Sequence, residues 1–88
     1  MDDQQLLIEC KKALNIQEST TSFDGVLNQK VKVVKAFMKR AGVTDENMND
    51  DQAVGIIAMG VVDIWENQSG EVKFSPLFYT LLSQLAMG

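Results

Sequence analysis

The sequence predicts an all-α fold, a compact bundle of about four helices around one central apolar helix. Three observations predict it. The run from Ala53 to Trp65 holds one charge, Asp63, and two glycines, Gly55 and Gly60, with every other position apolar. A helix apolar all round must be enclosed on nearly all sides. Two flanking segments, in the first and second quarters of the chain, repeat their apolar residues at helical spacing. Ser75-Pro76 then sets a helix start before a leucine-rich end.

The central run is read as a helix on length and on its entry. It exceeds the usual strand of about 5–6 residues. Asn49-Asp50-Asp51-Gln52 precede it, amide and acidic residues suited to a helix N-terminus. Asn49 and Gln52 have the spacing of a capping box. Periodicity alone does not separate this run from a buried strand, and its β-branched residues and glycines weigh on that side. At about 1.5 Å per residue the run covers roughly 20 Å, short of a bilayer core. Gly55, Ala58 and Gly60 offer little bulk, so another helix is expected to approach closely there.

Asp3 to Leu14 reads as the first helix, with Leu6, Leu7, Cys10, Ala13 and Leu14 on one face and Glu9, Lys11 and Lys12 largely off it. Cys10 is expected in the core. Asn15 to Thr21 is a polar connector, and Thr21 or Ser22 is expected to cap the second helix. That helix runs from about Phe23 to Ala41 and stops at Gly42, a natural left-handed residue. At about 100° per residue, Phe23, Val26, Leu27, Val31, Val33, Val34, Phe37, Met38 and Ala41 share one broad face. Asp24, Asn28, Lys32, Lys35 and Lys39 share the other. Val43 to Met48 is read as a turn, and Glu71 to Phe74 as a short connector or extended piece after Trp65-Glu66-Asn67-Gln68 and Gly70. In the last helix Leu77, Phe78, Leu81, Leu82 and Leu85 are apolar, while Tyr79, Thr80, Ser83 and Gln84 give it a partly polar side.

Composition narrows the function classes. The 88 residues make one domain, small enough that association would relieve a thin stability margin. The net charge of −4 argues against nonspecific nucleic-acid binding as the main activity. One cysteine allows no internal disulfide, which fits a reducing interior. The N-terminus carries Asp2 and Asp3 ahead of its apolar residues, unlike a signal peptide. There is no histidine, no phosphate-cradling glycine loop and no Cys/His metal spacing. Asp45, Glu46, Asp50 and Asp51 cluster without the order of a calcium loop. No catalytic, cofactor-binding or metal-binding residues are assigned, and the chain is not expected to be an enzyme.

What remains points to assembly. Five of the eight basic residues lie between Lys30 and Arg40. A solvated stripe and the helix C-terminal dipole account for them, and a basic face directed at a partner is the functional alternative. Lys30 is placed amid the apolar face, laying its stem on apolar surface or pairing with an acid on a neighbouring subunit. More apolar helix surface is on offer than a single small bundle needs. The candidate interface residues are Lys30, Lys35, Lys39, Trp65, Phe78 and Tyr79.

Several local patterns, taken in order, resemble one family. Leu7, Lys11 and Leu14, followed by Ile16, form a Leu-x-x-x-Lys-x-x-Leu opening. Asp24, Leu27, Ala36 and Gly42 mark a second helix with an early acid and a central alanine. Trp65-Glu66-Asn67 ends an apolar third helix, and Pro76, Leu81, Leu82 and Leu85 mark the last. Over nearly the whole chain this resembles the small all-helical head–tail connector proteins of tailed bacteriophages and prophages, the head completion and DNA-packaging adaptors. One departure is Gln68, where many members carry arginine, so that arginine's ion pair has no counterpart here. The resemblance implies no cofactor and a ring of identical subunits bound to the portal protein. That ring extends the DNA channel without sequence-specific contacts and presents a surface to the next connector or tail protein. It places the chain in the virion neck, or in the bacterial cytoplasm before assembly, and not in a membrane. Two other classes compete: a small helical nucleic-acid-binding regulator using Lys30 to Arg40, and an acidic carrier or adaptor domain. A carrier needs an exposed serine in a context that Ser22, flanked by Thr21 and Phe23, does not supply.

Overall fold

The computed structural model describes residues 3–65 and 73–87. The described residues form five helices and no strand: α1 (Asp3–Ala13), α2 (Asp24–Arg40), α3 (Asp45–Met48), α4 (Asp51–Trp65) and α5 (Pro76–Met87). The chain is all-α. The expected end of the rod at Glu66-Asn67-Gln68, the stop at Gly70 and the first two residues of the expected connector, Glu71 and Val72, lie outside the described residues.

The apolar run is α4, and it packs against α1, α2 and α5. Ala53, Val54, Ile56, Ile57, Ala58, Gly60, Val61 and Ile64 are buried along it. Gly60 is the point of closest approach. A Cβ there would stand 2.7 Å from Phe78 Cε1 of α5 and 2.8 Å from Val34 Cγ1 of α2. Gly55 behaves otherwise: a Cβ there meets nothing within 4 Å. The expected close approach therefore holds at Gly60 and fails at Gly55. Enclosure is also less complete than the sequence suggests. Asp51, Gln52, Gly55 and Val62 are exposed and Met59 is half-buried, so one side of the rod faces outward.

Two helix ends use the same device. After α1, Ile16 N–H donates to the Lys11 carbonyl at 2.8 Å and Asn15 N–H to that of Lys12 at 3.2 Å. After α2, Val43 N–H donates to Met38 and Gly42 N–H to Lys39, both at 3.1 Å. These are the paired bonds of the Schellman motif, which needs a left-handed residue between them. Gly42 (φ 104°) fills that place as expected, and Asn15 (φ 63°) fills it after α1.

Three local expectations are corrected. Val43 to Met48 is not a plain turn: Thr44 Oγ1 accepts from Asn47 N–H at 3.1 Å and caps α3. Asn47 Nδ2 in turn donates to the Leu85 carbonyl at 3.1 Å, satisfying an end of α5. Neither Thr21 nor Ser22 caps α2. Phe23 occupies that position with no side-chain bond, and Asp24 N–H donates to the Thr21 carbonyl at 3.1 Å. At α4 the capping oxygen comes from Asp50, which accepts from Gln52 N–H at 2.9 Å, rather than from an Asn49–Gln52 box. Ser75 does cap α5, accepting from Phe78 N–H at 3.3 Å ahead of Pro76. Asp63, the one charge in the rod, accepts from Ser75 N–H at 2.9 Å and so ties the end of α4 to the entry of α5.

Cys10 is fully buried, and burial pushes its thiol up to about 11, with Glu9 adding to the effect. Its unfolded-state value, near 9, is lower. A pKa raised in the folded state gives stability that is whole below pH 9 and lost as pH rises toward about 11. The loss should reach up to about 3 kcal/mol, at about 1.4 kcal/mol per unit. Urea titrations across pH 8–11 should show a steeper alkaline decline for the natural chain than for Cys10→Ala.

Candidate functional site

The candidate residues do not form one cluster. Lys39 pairs with Asp45 at 2.9 Å and Lys35 lies 3.9 Å from Asp3, both contacts at the surface. Lys30 is half-buried on α2 and makes no ion pair with any described residue. Trp65 is half-buried, with its ring edge-on to Phe23 at 5.9 Å. Tyr79 is 45% exposed, 5.9 Å from Phe37 and 6.0 Å from Phe78 between ring centres.

Phe78 is corrected. It is fully buried and stacks on Phe74 at 4.2 Å, so it is a core residue and offers nothing to a partner. Its place on α5 turns it toward Gly60, whose missing side chain makes room for the ring.

The broad apolar face of α2 divides in two. Leu27, Val31, Val34 and Met38 are buried against the rod. Phe23, Val26 and Val33 are 43, 46 and 38% exposed, and Ala41 is also exposed. Val26, Lys30, Val33, Phe37 and Arg40 recur at steps of three and four, so they form a ridge along the flank of the buried face, with Phe37 packed on Phe74, Phe78 and Tyr79. A second apolar surface lies on α4. Gly55 and Met59 form the floor between a wall from α5, with Leu81, Gln84 and Leu85, and a wall from α1, with Glu9, Lys12 and Ala13.

Sequence reasoning missed the main charged feature. Lys11, read as lying off the core face, is 3% exposed. Its ammonium sits 2.9 Å from Asp24 Oδ1 and donates to the Glu18 carbonyl at 3.2 Å. Asp24 Oδ1 is buried and makes no aligned hydrogen bond among the described residues, so the contact is ionic rather than directional. The pair joins α1 to α2 across the connector. The signal available in sequence was the Schellman turn at Asn15, which folds the connector back over the last turn of α1.

Among the described residues no group of three or more His, Cys, Asp or Glu is placed to hold a metal ion. No helix among them is long and apolar enough to cross a membrane. No known family model, curated protein or solved structure matches the chain.

Proposed function

We propose that this chain is a structural, non-enzymatic subunit of the head–tail connector of a tailed phage or prophage. In this reading, copies assemble as a ring on the portal protein, extend the DNA channel and support attachment of the next connector or tail protein. The subunit resides in the virion neck, or in the bacterial cytoplasm before assembly. The observation that carries the reading is the Lys11–Asp24 pair. These are two of the three charged positions in the pattern through which the sequence resembles that family, Glu66 being the third, and they meet at 2.9 Å between α1 and α2. Helical periodicity gives no reason for them to meet, so their contact supports the pattern as a unit. The two exposed apolar surfaces supply what self-assembly requires.

Electron micrographs of the protein mixed with purified portal test the proposal. Added ring density on one face of the portal is expected. Bare portals at saturating protein would overturn it.

A further inference from the structure

The ridge on α2 and the groove on α4 are separate surfaces: at about 100° per residue the ridge lies roughly 100° round α2 from the face buried on the rod. Gly60 meets Val34 of α2, whereas Gly55, five residues earlier, is rotated from it by about 140° at about 100° per residue. Two unlike surfaces on one subunit suit a heterologous contact, in which each copy offers its ridge to the next copy's groove. Their charges correspond. The ridge carries Lys30 and Arg40, roughly 15 Å apart at about 1.5 Å per residue, and neither makes an ion pair with a described residue. The groove carries Asp51 on the exposed stripe of α4, one turn before Gly55. Its α1 wall carries Glu9, with Lys12 beside it at 3.5 Å, and both line the groove with Met59 and Val62. Asp51 and Val62 are themselves roughly 16 Å apart along the helix.

We infer that α2 of one copy lies antiparallel in the α4 groove of its neighbour, with Arg40 beside Asp51, Val33 over Met59, and Lys30 toward Glu9. Antiparallel placement sets the basic C-terminal end of α2 against the acidic N-terminal end of α4, which both helix dipoles favour. The open space at Gly55 lets the incoming backbone come close. Glu9 has only an exposed contact with Lys12 at 3.5 Å to give up. The occupant is thus a second copy of this chain, and the inference rests on the self-assembly part of the reading above.

The test uses the full chain without portal, at high concentration under mild oxidation. Cys10 is buried and stays in place as a silent thiol. Val33→Cys and Met59→Cys are made separately and then mixed. The expected result is a disulfide-linked dimer in the mixture and none in either variant alone. A dimer from Met59→Cys alone would mean a two-fold contact and overturn the inference. So would the absence of a crosslink in the mixture while both variants keep their helical circular dichroism. Reversal of charge gives an independent arm: Lys30→Glu should reduce the sedimenting assembly, and adding Glu9→Lys should restore it. Loss with no restoration would also overturn the assigned register. Portal binding is read separately by microscopy, so failure here leaves that result distinguishable.

Discussion

Lys11→Met should lower the stability of the chain by about 2–3 kcal/mol. Removing one partner of a buried ion pair typically costs about 3–5 kcal/mol, because the remaining charge is left without an answer. Here the cost is lower, since the Asp24 side chain keeps 31% of its exposure and can recover some water. The methionine retains the packing of the lysine stem, so the loss reports the charge and the bond to Glu18 rather than a cavity. Replacing both partners, Lys11→Met with Asp24→Leu, should return most of that stability, because apolar substitutes remove the desolvation cost altogether. Urea denaturation of the two single variants and the double variant measures the coupling. Additive losses would show that Lys11 and Asp24 do not act as a pair.

The second large effect contrasts two glycines on one helix. Gly60→Ala should destabilise the chain although alanine is the better helix former. The new Cβ would stand 2.7 Å from the Phe78 ring and 2.8 Å from Val34, both fully buried and without room to move. Overpacking of this kind costs about 1–3 kcal/mol, against a propensity gain of about 1 kcal/mol. Gly55→Ala meets nothing within 4 Å and should keep the whole propensity gain. In a domain of this size each kcal/mol moves the melting temperature by about 4–8 °C. Thermal scans should therefore shift in opposite directions for the two variants. A stabilised Gly60→Ala would mean that α2 and α5 do not close on α4 as described.

The elements were legible in sequence because they rest on strong local signals. The apolar run, the helical spacing of α2, Gly42 after its end and Ser75-Pro76 before α5 each act within a few residues, and each is found in place. The faces were less legible. Periodicity says which residues share a side, not how far a neighbour covers it, so Val26 and Val33 were grouped with Leu27 and Val34 although only the latter pair is buried. Lys11 was misplaced for a related reason. Its burial depends on Asp24 and on the Glu18 carbonyl, both brought over by the turn at Asn15, and no helical spacing encodes that. Gly55 and Gly60 look alike in sequence; only the paths of α2 and α5 distinguish an open glycine from a crowded one. Of the candidate interface residues, Phe78 belongs to the core, because Gly60 leaves room for its ring, while Lys35 and Lys39 stay at the surface beside Asp3 and Asp45.

Native-state hydrogen exchange tests the organisation of the fold around α4 most directly. Amides of Ile57, Gly60 and Val61 are packed from three sides and should exchange last, with protection that tracks global unfolding in denaturant. Exchange at these positions ahead of α1 or α5, through a local opening insensitive to denaturant, would contradict the account.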